Sequence, residues 1–264
     1  MTRDELLRVC EGLDLRGNQV VVHASLSSLG HMHGGADAVC GALLEAVGDS
    51  GTVLKPAFTY AETLPCGGSK PTVYHPDLPV SREIGAVAEA FRRLPGALRS
   101  NHPTHSFAAA GRQARNLLST QRDNNPLGPL KKLNVGQGFV LMLGTSLHAA
   151  TAIHLAEEHL GLSSPSRRTA LRLNAAGYAE RVVLENLPGC SAGFDKLEAR
   201  LDPSKLRATA LPRGSARKIP IRQLVQLAIG VLEVDPLALL CNRPECTDCI
   251  ARRDTAGGRR SATG

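Results

Sequence analysis

Tryptophan is absent from the 264 residues, and five Phe and three Tyr make up an aromatic content of only 3%. A surface that grips single-stranded nucleic acid needs aromatic platforms beside its basic residues, so this composition argues against one. No apolar run approaches the roughly 18–20 residues needed to span a bilayer, and no membrane segment is expected. The first residues, Met1, Arg3, Asp4 and Glu5, lack the apolar stretch of a secretory leader. The seven cysteines (10, 40, 66, 190, 241, 246 and 249) are odd in number. Reduced thiols in a cytoplasm are therefore the expectation. Neither a Walker A loop nor a G-x-G-x-x-G fingerprint occurs.

What is present is an ordinary globular composition, 42% hydrophobic and 21% charged. That excludes a disordered or fibrous chain and allows a sizeable core. The formal charge of +7, from 31 Lys and Arg against 24 Asp and Glu, favours anionic partners such as phosphorylated cofactors, nucleic acid or acidic membranes.

The patterning alternates. Helical spacing over 3–13 precedes the strand 19–25 with its three consecutive valines, and helix 36–47 ends at a Gly-Asp-Ser-Gly turn before strand 52–58. The second strand is expected beside the first. Helix 82–94, strand 106–110, helix 112–120, strand 138–143 and helix 149–160 continue the series. This predicts an α/β fold, a central mixed and largely parallel sheet flanked by helices. Residues 171–184 read as a hairpin broken at 174–177, and Ile221 to Val234 as an amphipathic helix. Between them, 202–222 carries Lys205, Arg207, Arg213, Arg217, Lys218 and Arg222 with three prolines after Asp202, and reads as a surface excursion. A single domain over 1–250 is expected, with 251–264 as a frayed basic tail.

Three groups carry chemistry. The strand end His23-Ala24-Ser25-Leu26-Ser27-Ser28-Leu29-Gly30, followed by Gly34-Gly35 and a helix, offers hydroxyls and backbone N–H groups to an anion. Read on its own, it is equally a plain strand-to-helix connection. Asn101-His102-Pro103-Thr104-His105-Ser106-Phe107 brings two imidazoles to the start of a strand, where a base could sit or a histidine could simply be solvated. On helix 149–160, His154 and Glu157 are three apart and share a face, while His159 lies on another flank. That pair is either a surface contact or an imidazole whose tautomer is fixed by a carboxylate.

Together these segments resemble the antibiotic N-acetyltransferase family, whose best-known members are the aminoglycoside 3-N-acetyltransferases. The resemblance runs through Val22 to Gly30, Gly34-Gly35-Ala36-Asp37, Gly51 to Tyr60, Phe91 to Ala97, His102 to Phe107, Leu143-Gly144 and Thr151 to Glu157. It continues more weakly through Gly189 to Phe194 and Asp235-Pro236. It implies transfer of an acetyl group from acetyl-CoA, as co-substrate, to an amine in a ternary complex. The implied fold is not the GCN5-related one, whose R/Q-x-x-G-x-G/A motif is absent. By resemblance, His23, Ser25, Leu26, Ser27, Ser28, Leu29, Gly30 and Gly35 would hold coenzyme A, with Ser106 and Phe107 lining the same channel. His154 would be the general base, Glu157 or Glu185 its carboxylate, and His105 a second imidazole. Thr145, Ser146 or Thr151 could donate to the oxyanion.

The acceptor would meet Tyr60, Glu62, Asp77, Thr151 and Glu158. Members that bind a polycationic aminoglycoside typically carry an acidic loop after the second strand, whereas 61–70 here has one acid and one base. A different amine of secondary metabolism, or a longer acyl donor, is the alternative. From another class, residues 205–222 and the arginines 252, 253, 259 and 260 could make a basic nucleic-acid-binding surface. No nucleic acid, membrane or metal partner is assigned, and monomer and homodimer stay open. Cys241, Cys246 and Cys249 could ligate zinc given a fourth ligand, from Cys190 or another distant thiol, or could be unligated.

Overall fold

The computed structural model describes residues 1–59, 64, 70–163 and 167–261, with 255–261 as backbone alone. Helix α1 (Arg3–Gly12) starts at a capping box, in which Thr2 accepts from the Glu5 N–H and the Glu5 side chain accepts from the Thr2 N–H. Strand β1 (Gln19–Ala24) follows, then α2 (Gly35–Val47), β2 (Thr52–Pro56), β3 (Val73–Tyr74), α3 (Ala86–Arg92), β4 (Leu98–Arg99) and β5 (Phe107–Gly111). The middle of the chain gives α4 (Ala114–Leu118), α5 (Gly128–Val135), β6 (Phe139–Leu143) and α6 (His154–His159). Strands β7 (Arg168–Leu173), β8 (Ala179–Leu184), β9 (Arg207–Ala210) and β10 (Ser215–Pro220) precede helices α7 (Ile221–Val234) and α8 (Thr247–Ser261).

Seven strands form one sheet in the order β4-β5-β2-β1-β6-β10-β9. Its centre, β2-β1-β6, is parallel, and every flanking pair is antiparallel. The valine run of β1 is central and buried on both faces, which is why it reads as continuous rather than alternating. Val21, Leu54, Val140, Met142 and Ile219 point into the core under α4 to α7. Val20, Val22, Val53, Leu141 and Ala216 point the other way, toward α1, α2 and α3. This period-two exchange produces a three-layer molecule. The expected hairpin is β7-β8, and it belongs to a separate small sheet, β3-β7-β8.

Several expectations are corrected. Residues 202–222 are not an excursion, since β9 and β10 complete the main sheet. Lys218 is buried, with Nζ 4.1 Å from the Phe139 ring centroid and donating to the Asp14 carbonyl at 2.6 Å. Arg217 pairs with Glu198 at 2.5 Å. A strand whose long cations bury their stems and satisfy their heads looks exposed in sequence and is not. Helix α5, between strands β5 and β6, was not anticipated. The helix expected over 82–94 is interrupted at Gly85, where φ is 93°. The helix expected from 149 begins as two 3-10 turns, and its α-helical part starts only at His154. The stretch expected to fray from 251 continues α8 to Ser261, and Arg252 and Arg253 bond to Glu157 and to the Cys241 carbonyl. Among the described residues, no helix is long and apolar enough to cross a membrane.

Candidate active site

Strands β1, β2 and β6 all end on one side of the sheet, and β5 begins there. A cavity of about 770 Å³ opens at that edge. Carboxyl ends of parallel strands are where open α/β sheets bind ligands. Among the residues singled out in sequence, His23, Ser25, Leu26, Ser27, His105, Thr145, Ser146, Thr151 and His154 line it.

The Ser25 loop forms a 3-10 turn, Leu26–Leu29, strapped to the end of β6. Ser25 N–H donates to the Leu143 carbonyl at 2.9 Å, and Ser28 Oγ donates to the Gly144 carbonyl at 2.8 Å. Gly144 has φ 69°, and a Cβ built there would lie 2.3 Å from Ser28 Cβ, so the close approach of the two loops needs glycine. Ser28 therefore braces the wall, while Ser25 and Ser27, whose hydroxyls are 3.0 Å apart, face the cavity. Leu29 is core beneath α2, Gly30 packs on Pro212, and Gly35 opens α2. None of the three lines the cavity.

His154 is buried on the first turn of α6, with Nδ1 2.6 Å from Glu157 Oε2 and its ring edge-on to Phe194 at 4.8 Å. The carboxylate fixes a proton on Nδ1 and leaves Nε2 with its lone pair. Glu157 is 3% exposed and its other oxygen pairs with Arg252. Burial alone would raise its pKa, but His154 and Arg252 together hold the carboxyl below its ordinary value. Glu185 is corrected: it is half-exposed, pairs with Arg167 at 3.2 Å and does not line the cavity.

His105 is buried, with Nδ1 2.8 Å from Thr104 Oγ1 and its ring 4.8 Å from that of Phe58. Burial, with His102, His154 and Arg168 nearby, pushes its pKa well below the ordinary value. His102 lies behind it, accepting at Nδ1 from the His105 N–H at 3.1 Å, and burial lowers it to about 4. His23 is pushed down to about 3 by burial and by Lys55, and its Nε2 makes no hydrogen bond among the described residues. Ser106 and Phe107 do not line the cavity. Ser106 Oγ donates to the Ala57 carbonyl at 2.7 Å, and Phe107 stacks edge-on beneath Phe58.

Of the expected acceptor residues, Tyr60 and Glu62 lie outside the described residues, as does Cys66. Glu158 is turned to Lys131 at 2.5 Å, and Asp77 is exposed, its carbonyl accepting from Arg92. Sequence reasoning missed four lining groups. Lys55 is buried in β2, donating to the Val22 carbonyl at 3.0 Å, and burial lowers it to about 8. A lysine inside an apolar strand was the available signal. His148 stands 2.6 Å from Ser146 Oγ and 3.7 Å from Asp195. Glu83 contributes a carboxylate to the wall, and Pro188, Gly189 and Ser191 form another part of it. Thr145, by contrast, was expected as an oxyanion donor, and its Oγ1 in the cavity wall is buried without a hydrogen-bond partner among the described residues.

The model of the family described as aminoglycoside 3-N-acetyltransferase matches residues 21–233. The SPbeta prophage-derived aminoglycoside N(3')-acetyltransferase-like protein YokD of Bacillus subtilis (strain 168) is 34% identical over 175 residues, 59% of this chain and 64% of that protein. Aminoglycoside N(3)-acetyltransferase VII of Streptomyces paromomycinus is 36% identical over 60% of each chain, so the matched stretch spans less than two thirds of these relatives. Aminoglycoside N(3)-acetyltransferase IV from Salmonella sp is 30% identical over 85% of this chain and 84% of its own length. The crystal structure of aminoglycoside acetyltransferase AAC(3)-IVa superposes with a TM-score of 0.79 at 29% identity, covering 96% of both chains. A histidine-to-alanine mutant of that enzyme, in complex with a gentamicin, matches equally well. With the sheet order, the cavity at the strand ends and the His154–Glu157 pair already in place, these likenesses make this chain a member of the aminoglycoside 3-N-acetyltransferase family.

Proposed function

We propose that this protein transfers an acetyl group from acetyl-CoA directly to the 3-amino group of an aminoglycoside, with His154 as general base. The observation that carries the reading is the buried His154–Glu157 pair, backed by Arg252, at a cavity that the Ser25–Ser27 loop also lines. Two buried polar atoms in the cavity wall, His23 Nε2 and Thr145 Oγ1, have no partner within the described protein and suit a polar ligand. Ser25, Ser27 and the backbone of the 3-10 turn would hold the coenzyme, with Lys55 adding positive character for its phosphates. The bound thioester supplies an activated acyl group.

The residues of the chain do the rest. An ammonium group has no lone pair, so the acceptor nitrogen must lose a proton. His154 Nε2 takes it while Nδ1–H remains on Glu157, whose charge stabilises the imidazolium. Arg252 keeps Glu157 ionised in its buried position. Thr145 Oγ1–H is the donor for the oxygen that gains charge at the acyl carbon. Glu83 is the carboxylate within the cavity wall that can receive another ammonium of a polycationic acceptor. The transfer makes an amide and releases a thiol.

AAC(3)-IVa, the relative above, has been solved with a gentamicin and with apramycin, which supports an aminoglycoside acceptor here. Incubating the protein with acetyl-CoA and gentamicin or neomycin should release thiol and add a single acetyl group to the antibiotic, read by mass spectrometry. Coenzyme A binding without turnover of any aminoglycoside would overturn the acceptor and redirect the same chemistry to another amine.

A further inference from the structure

Cys190 follows β8, Cys241 lies in the loop after α7, Cys246 immediately precedes α8, and Cys249 sits in its first turn. The sequence alone assigns no metal, because Cys190 lies far upstream of the other three. Folding brings the four sulfurs within 4.8 Å of one another. A tetrahedron of thiolates at about 2.3 Å from a zinc ion has edges of about 3.8 Å, so the cluster is close to that size already. We propose that Cys190, Cys241, Cys246 and Cys249 form a closed structural zinc site that fastens the C-terminal helix and the 188–191 wall to the active-site cavity.

The surroundings fit four thiolates. The Ala192 N–H donates to Cys190 Sγ at 3.4 Å. The donor is two residues beyond the cysteine, so the loop curls its backbone around its own sulfur, the outer-shell support that orients a metal ligand. Cys246 and Cys249 stand at the start of a 15-residue helix, where the dipole favours negative charge. Zinc binding would replace four S–H protons by one divalent cation and leave a net charge of −2. Lys196 Nζ on the Leu240 carbonyl at 2.6 Å and Arg253 on the Cys241 carbonyl bring cations to that loop. Cys241 and Cys249 are buried with Leu240 in a small cluster of their own, separate from the two main cores. Binding therefore supplies cohesion where little apolar area is available.

Four thiolates leave no open coordination position, so the site does not take part in the transfer. Its reach to the active site is mechanical. Pro188, Gly189 and Ser191, on either side of Cys190, line the cavity, and α8 carries Arg252 to Glu157. The six described cysteines are free, so no disulfide competes for these sulfurs.

The test is elemental analysis of the full-length protein, purified without added metal or chelator. The expected content is about one zinc per chain, kept through gel filtration. Exchange with Co2+ should give the intense visible bands and the sulfur charge-transfer band of a tetrahedral thiolate site. A Cys246→Ser, Cys249→Ser double variant should lose the zinc. Release of zinc from the wild type by an organomercurial should lower Tm, and this readout is independent of turnover. Zinc well below half an equivalent with four freely titrating thiols would overturn the proposal, as would two disulfides by mass spectrometry or zinc unchanged in the double variant. None of these outcomes depends on which amine is acetylated.

Discussion

Two buried histidines line the site and a third lies behind them, and each is kept neutral by burial: His23 at about 3, His105 well below the ordinary value and, behind it, His102 at about 4. In the unfolded chain each titrates near 6.5. Below that pH the unfolded state binds protons that the folded state does not, so stability is full above about 6.5 and falls as pH drops toward the folded pKa values. Between pH 6.5 and about pH 5 His23 and His102 should each cost on the order of 2 kcal/mol, and His105 acts in the same direction. Glu157 acts with the same sign but lower, since its depressed carboxyl loses its contribution only below the usual carboxylate range. Thermal melts at stepped pH should show Tm falling steeply between pH 6.5 and 5, and a flat profile there would show that these imidazoles protonate in the fold. The sequence spacing already paired His154 with Glu157, because i, i+3 on a helix is a local relation. It could not choose against Glu185, since only the fold shows that residue turned to Arg167.

At the scale of elements, the site is a junction of strand ends whose geometry depends on loops crossing closely. Gly144→Ala places a side chain at φ 69° and into Ser28. We expect a loss of about 1–3 kcal/mol from the backbone strain alone. We also expect a higher KM for acetyl-CoA, because Ser28 braces the Ser25–Ser27 wall; wild-type Tm and KM would show that the loops can part freely. The periodic elements, such as β1, α2, β6 and α7, were legible because one apolar face or a fully buried run dictates them. Strands β9 and β10 were not, since Arg217 and Lys218 satisfy their charges inside the fold. The short turns before His154 were hidden for another reason. Their residues Thr151, Ala152 and Ile153 are all buried and show no helical stripe.

Across the whole molecule the charge of +7 has two consequences. Under the proposed function it would draw a polyanionic acyl donor to the site and give a polycationic acceptor no general attraction. The kcat/KM for acetyl-CoA should therefore fall as ionic strength rises, more steeply than that for the aminoglycoside. Equal slopes would show that local carboxylates such as Glu83, not overall charge, govern both. Much of the basic character read as a nucleic-acid surface is already occupied, with Arg217, Lys218, Arg252 and Arg253 bonded within the fold. The lining by His148 and Glu83 was illegible because the chain brings single residues from separate segments to one cavity, whereas Lys55 inside an apolar strand left a signal. The central claim is that His154 takes the proton from the attacking amine, and steady-state kinetics of His154→Ala test it most directly. The account predicts kcat reduced about 10²–10⁴-fold with the affinity for coenzyme A retained; a kcat equal to that of the wild type would contradict it.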